Sequence, residues 1–108
     1  MDKVSRTRAL NDAFRRSFAG GRVMMSAGVA ALPNADQAAV LAKVQAFDGF
    51  DRGNDPHGEH DFVSVEHDGV RYFGKIDYYD PELRYGSDDP ADPARTARVL
   101  TVTRADEY

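Results

Sequence analysis

Between residues 48 and 61 the chain reads Asp48-Gly-Phe-Asp51-Arg-Gly-Asn54-Asp55-Pro-His57-Gly-Glu59-His60-Asp61. Four aspartates, a glutamate, two histidines and an asparagine share this one apparent loop with three glycines. Carboxylates and imidazoles are the groups that move protons near neutral pH and that hold divalent transition metals such as Zn, Mn, Fe or Ni. His57, Glu59, His60 and Asp61 are the candidate ligand set. Known templates do not fit the spacing. The order His57-Gly-Glu59-His60 is not His-Glu-x-x-His. The pair His57-x-Glu59 has the spacing of the zinc deaminases, but those sites need cysteine and the chain has none. The acids do not alternate before a glycine as in an EF-hand. Asp55-Pro56 and the glycines are ordinary turn chemistry, so a structural or partner-binding loop stands beside the metal reading.

A second polar group is Lys75-Ile-Asp77-Tyr78-Tyr79-Asp80. On a strand, Lys75, Asp77 and Tyr79 face one way and Ile76 and Tyr78 the other. Lys75 and Asp77 are expected to form a local ion pair. The third feature is broader. Residues 48–92 hold 13 acids against 4 bases, a net charge of −9. Acids gathered on one face imitate a nucleic-acid backbone and suit a basic cleft, with fast, salt-sensitive association. The candidate partner-binding residues are Asp51, Asp55, Glu59 and Asp61 in the first loop, then Asp77, Asp80 and Glu82, and then Asp88 and Asp89. Tyr78, Tyr79 and Tyr85 are the candidate anchors, because tyrosine is enriched at interfaces. The bland alternative is an acidity that only keeps the protein soluble.

Composition narrows the rest. The chain has 108 residues, 42% of them hydrophobic and 10% aromatic, which predicts one domain over 1–108 with a single core. Without cysteine there are no disulfides, thiolate zinc sites or cysteine nucleophiles. No P-loop, Gly-x-Gly-x-x-Gly or Gly-x-Ser-x-Gly motif occurs, and Ser26 and Ser87 have no identified base, so no catalytic residue is assigned. Neither a signal-peptide core nor an apolar run of about 20 residues is present, which gives a cytoplasmic expectation and no membrane partner. Residues 1–22 carry a net +4 against −8 for the remainder. Arg6, Arg8, Arg15 and Arg16 would be the contacts of a nucleic-acid binder, but the acidic body would repel a phosphate backbone. The basic segment is expected to pack on that body or to be solvated.

The elements that must position these groups follow from periodicity. Residues 5–18 form an amphipathic helix with Ser5 as N-cap, a stripe of Leu10, Phe14 and Phe18, and Gly20-Gly21 as its stop. Residues 22–26 form a short strand, and Ala27–Leu32 is a strand extension or a tight turn. Pro33-Asn34 opens a second helix with a capping box from Asn34 to Gln37, buries Val40, Leu41, Val44 and Phe47, and ends near Asp48-Gly49. Asp68-Gly69 is a type I′ hairpin turn that sets His67 opposite Val70 and Glu66 opposite Arg71. Val63, Val65, Tyr72, Ile76 and Tyr78 then share one face. A loop with Asp89-Pro90 and Asp92-Pro93 leads to a last strand at 97–104. The order α-β-α-β-β-β predicts an α+β fold, an antiparallel sheet of about four strands with two helices on one face.

Several runs also look familiar together. Leu10-Asn-Asp-Ala-Phe14, Gly20-Gly-Arg-Val23, Ala27–Leu32, Phe47-Asp-Gly-Phe50, Asn54–Asp61, Lys75–Asp80, Tyr85-Gly-Ser87, Arg98-Val-Leu-Thr101 and Glu107-Tyr108 resemble a family of small bacterial proteins of unknown function. That family is associated with alphaproteobacterial chromosomes, plasmids and prophage-like elements. The resemblance implies no activity. It implies a mobile-element setting, where small acidic proteins antagonise host defence as anti-CRISPR or anti-restriction factors. The expectation is a non-enzymatic protein, without cofactor or direct nucleic-acid contact, that occludes the nucleic-acid site of a host-defence complex. The alternative is a metal-binding module or metal-dependent enzyme built on loop 48–61. A homodimer is one option for its oligomeric state.

Overall fold

A computed structural model describes all residues 1–108. Helix α1 spans Lys3–Ser17, strand β1 Arg22–Met25, helix α2 Ala27–Ala30 and helix α3 Asn34–Ala46. Strands β2 (Phe62–His67), β3 (Val70–Tyr79) and β4 (Ala97–Arg104) follow, and a 3-10 turn covers Ala105–Glu107. The sheet order is β1-β4-β3-β2. This is the expected α+β class with one correction: the sheet is mixed. β1 runs parallel to β4, while the other two pairings are antiparallel. The chain passes through α2, α3 and the whole β2–β3 hairpin before β4 pairs with β1. Sequence neighbours therefore say nothing of that direction.

The hairpin forms in the expected register. Asp68 and Gly69 both take left-handed backbone (φ 50° and 75°), as a type I′ turn demands. His67 pairs with Val70, Glu66 with Arg71 and Val65 with Tyr72. Arg71 Nη2 reaches Glu66 Oε1 at 3.5 Å. Val63, Val65, Tyr72 and Ile76 are buried on one face together with Leu100 and Val102 of β4. Phe14 from α1, Val29 from α2, and Val40 and Val44 from α3 complete that core, so the helices cover this single face. Gly74 lies at its centre. A Cβ there would stand 2.9 Å from Val63 Cγ2 and 3.1 Å from Val44 Cγ1, so the close approach of α3 to the sheet requires glycine.

Local details of the helices differ from expectation. Asp2, not Ser5, caps α1: its Oδ1 accepts from the Ser5 N–H at 2.7 Å. The helix stops at Phe18, which itself takes the left-handed conformation (φ 59°) before the Gly pair is reached. The capping box at Asn34 does not form. Pro33 is the cap residue, Asn34 is already helical, and Gln37 donates to Val29 O instead. The ambiguous Ala27–Leu32 run resolves as the short α2, with Ser26 Oγ capping Val29 N–H.

The largest departure is the buried side of α1. Thr7, Asn11, Phe14 and Arg15 are buried, while Leu10 is only partly so. Arg15, expected on another face than the Leu10–Phe14–Phe18 stripe, is inside, and Asn11, polar but at helical spacing from Phe14 and Phe18, lies there too. They are there because loop 48–61 lies against this helix.

Candidate functional site

Loop 48–61 is built as a set of internal hydrogen bonds. Asp51 Oδ1 accepts from Gly53 N–H at 2.8 Å and from Asn54 N–H at 2.9 Å, the Asx-turn pattern. Asn54 returns bonds to Asp51 N–H and Gly49 O. The Asp55 side chain is buried and accepts from His60 N–H at 3.1 Å. These bonds hold His60 in left-handed backbone (φ 56°). Its ring stacks on Phe50 at 3.8 Å, sets Nδ1 2.9 Å from Asp12 Oδ1, and leaves Nε2 3.6 Å from Asp55 Oδ2.

The first helix supplies the other half. Arg15 is 1% exposed, bonds Asp12 at 3.0 Å and Phe47 O at 3.3 Å, and lies over the Phe50 ring. Arg8 donates to Gly58 O at 3.1 Å. Burial works against the Asp12 carboxylate, but the bonds from His60 and Arg15 outweigh it and hold its pKa below the ordinary value. Two of the basic residues of α1 are thus tied to the loop, while Arg6 and Arg16 remain exposed.

A second chain of contacts passes through Asn11, which is fully buried. Its Nδ2 donates to Glu59 O at 3.0 Å and to Tyr78 Oη at 2.8 Å, and its Oδ1 accepts from Arg98 Nε at 2.8 Å. Arg98 has no acceptor on its guanidinium, so its contact fixes which way the Asn11 amide points. Arg98 also donates to Pro90 O and lies over the Tyr78 ring. Tyr78 donates to Glu59 Oε1 at 2.6 Å. Burial and then the Glu59 carboxylate push the phenol above its ordinary pKa, so it is a proton donor to Glu59 and not a base. Asn11, a residue the sequence reading assigned no role, therefore joins α1, loop 48–61, β3 and β4. Its spacing from Phe14 and Phe18, three and seven residues, was the available signal that it shares the buried face.

The candidate ligand set is not brought together. His57 is exposed, Glu59 faces Tyr78, and His60 faces Asp12. Asp61 is half-buried, and that burial raises its pKa. The one group of three whose ligand atoms lie within 4.8 Å of one another is Asp36, His67 and Asp68. Lys43 Nζ lies 3.2 Å from His67 Nδ1 and donates to Glu66 O at 2.8 Å. An ammonium can only donate, so His67 Nδ1 accepts and Nε2 carries the ring proton toward Asp36 Oδ1, 2.9 Å away. A metal at Nε2 would have to displace that proton beside a lysine cation.

The other candidate residues lie at the far end of β3. Lys75 and Asp77 form the expected pair at 3.3 Å. Tyr79 bridges to Gly86, and Asp80 caps its own loop by accepting from Arg84 N–H at 3.0 Å. Glu82 lies 3.9 Å from Arg84, and both are exposed. Asp89 bonds Ala91 N–H within the loop, and Lys3 approaches it at 4.0 Å. Asp88 is exposed, and Tyr85 is 73% exposed. Asp80, Tyr85, Asp88 and Arg95 line an open cleft of about 480 Å³. Of the three candidate anchors, Tyr85 is the exposed one; Tyr79 is half-buried on the open face, and the Tyr78 hydroxyl turns inward to Asn11 and Glu59.

No helix is long and apolar enough to cross a membrane. Neither a curated protein nor a solved structure matches this chain. A family model does match, over residues 25–107, from the last residue of β1 through loop 48–61, the hairpin and β4. It takes in Glu59, Tyr78 and Arg98 and leaves α1 with Asn11 and Asp12 outside. On that match the chain belongs to the family described as "Protein of unknown function (DUF3768)".

Proposed function

We propose that this protein is a non-enzymatic acidic interaction protein whose loop 80–92 docks into a basic, nucleic-acid-binding cleft of a protein partner. The supporting observation is the open cleft at the end of β3, where Asp80 and Asp88 outnumber the one lining base, Arg95, beside the exposed Tyr85. Residues 80–92 hold five acids against the single base Arg84. Their internal bonds fix the loop, and they leave Asp88 and Tyr85 facing solvent. Two carboxylates beside an exposed phenol suit a lysine or arginine side chain: charge attracts the cation, and the ring offers it a face. Asp51, Asp55, Glu59 and His60 of loop 48–61 have partners inside the protein and His57 is exposed away from them, so that loop serves as scaffold. The mobile-element setting implied by the resemblance makes a host-defence complex the partner class, with loss of its nucleic-acid binding as the consequence.

The test is a pull-down on immobilised protein followed by a salt titration of the captured partner. Binding is expected to weaken steeply between low and high salt, and DNA or RNA is expected to compete for the partner. Tyr85→Ala combined with Asp88→Asn is expected to weaken it by about tenfold or more. Binding that is indifferent to salt, or a ternary complex with nucleic acid still bound, overturns the reading. Metal analysis of the purified native protein tests the alternative: stoichiometric Zn or Mn, and melting shifted by added metal, would return the site to loop 48–61 or to the Asp36–His67–Asp68 group.

A further inference from the structure

We infer that β1 is the pairing edge for a second copy of this chain, joining two four-stranded sheets into one of eight strands about a two-fold axis at Met24. β1 pairs only with β4, and no other main-chain or side-chain hydrogen bond reaches Arg22–Met25 from elsewhere in the protein. Ser26 N–H donates to Val102 O, so strand alternation turns the main-chain groups of Met24 toward β4 as well. Those of Val23 and Met25 must then face outward: two N–H groups and two carbonyls with no partner. The opposite edge, β2, is treated differently. There Lys43 donates to Glu66 O, and Glu66 and His67 place polar groups along the strand. β1 has no proline, no bulge and no acid; its one charge is the exposed Arg22 at its start, and the other exposed side chains are Met24 at 53% and Met25 at 40%.

The parity of the free groups fixes the register. Antiparallel pairing that uses both outward residues sets Val23 opposite the partner copy's Met25 and Met24 opposite its own counterpart. That arrangement makes four main-chain hydrogen bonds, two for each Val23–Met25 pair. It places Val23 and Met25 together on the helix-covered face. It places the two Met24 side chains together on the open face, where each continues an apolar groove of about 310 Å³ with Tyr79, Leu83 and Val99. Each Arg22 falls opposite a Ser26, and the two arginines stand about 13 Å apart along the strands, beyond the range of strong repulsion at physiological salt. An edge without acids offers nothing to a basic partner, so a second copy is the occupant that fits. The surface is independent of the acidic cleft. Four residues of strand fall short of the roughly 800 Å² per partner of a standard interface, so the association is expected to be weak and concentration dependent.

Sedimentation equilibrium of the full chain from about 10 µM to about 1 mM reads the effect directly. A reversible monomer–dimer equilibrium is expected, with Val23 and Met25 amides protected from exchange only at the high end. Met24→Lys sets two like charges opposite each other at the axis. It is expected to weaken dimerisation about tenfold or more, with an unchanged circular dichroism spectrum, because Met24 is exposed in the monomer. Met24→Glu is expected to do the same, and an equimolar mixture of the two variants is expected to restore the dimer as a heterodimer. A chain that stays monomeric across the range, a Met24→Lys protein that dimerises like the parent, or a mixture that stays monomeric overturns the inference.

Discussion

Loop 48–61 and loop 80–92 are both acidic, both rich in Asx and proline turns, and differ in what lies against them. Against the first lies α1, which contributes Arg8, Asn11, Asp12 and Arg15; each side chain makes a hydrogen bond to the loop or to its flanks. The second is capped mainly by its own residues, and Lys3 at 4.0 Å is the one charged side chain of α1 that reaches it. The lesson concerns density of functional groups. Both loops hold five carboxylates, and the loop that adds two histidines is the one in which Asp51, Asp55, Glu59 and His60 are consumed by folding. The loop with plainer chemistry keeps exposed acids and an exposed tyrosine.

That contrast can be broken at its strongest point first. Asn11→Ala would leave Arg98, the Tyr78 hydroxyl and Glu59 O buried without their shared partner. A loss of about 3 kcal/mol is expected, read as a lower denaturant midpoint. If stability hardly changes, the network through Asn11 does not organise the loop. Tyr78→Phe removes one hydroxyl from the same network and should cost about 1–2 kcal/mol in the same measurement.

A subtler test uses pH. The folded pKa of Asp12 lies below its ordinary value of 3.8, so the native state holds its proton less tightly than the unfolded chain does. Its stabilisation is complete above that ordinary value and is lost as pH falls through the lower folded value. Asp12→Asn is therefore expected to be less stable than the parent at pH 7 and to converge on it in acid. A gap that stays constant from neutral to acid pH would mean that the carboxylate charge is not what anchors His60. The smallest effect belongs to the other loop. Tyr85→Ala should shift stability by no more than about 0.5 kcal/mol in either direction. A large loss would mean that loop 80–92 is scaffold too, and the difference between the loops would vanish.

Much of the framework was legible in residues alone. Asp68-Gly69 and the alternation on either side of it specify the hairpin register, because a two-residue turn and a period of two leave no freedom. The last strand, Ala97–Arg104, was equally clear from its β-branched run. Both signals are local. The ends of α1 were harder to place, because Asp2 and Ser5 are both good caps and only the backbone decides which one bends back. The parallel pairing of β1 with β4 had no local signal at all, since the two strands lie about 75 residues apart in the chain, far beyond the reach of any turn rule.

The same division holds for the candidate site. By itself the sequence determined that loop 48–61 is turn-rich and acidic, that no cysteine chemistry is possible, and that charge separates a basic start from an acidic body. Only the tertiary structure decided how those charges are used. Arg15 and Asn11 are polar residues on a helix, and polarity by itself argues for the solvent side. They turn inward because buried polar groups are tolerated where partners satisfy most of them: beside Asp12 on the same helix, the partners come from residues 32 to 87 positions away, and only Arg15 Nε is left without one. Hydrogen-bond satisfaction is a property of the assembled fold. A side chain's type says what it can bond to, and only folding says what arrives.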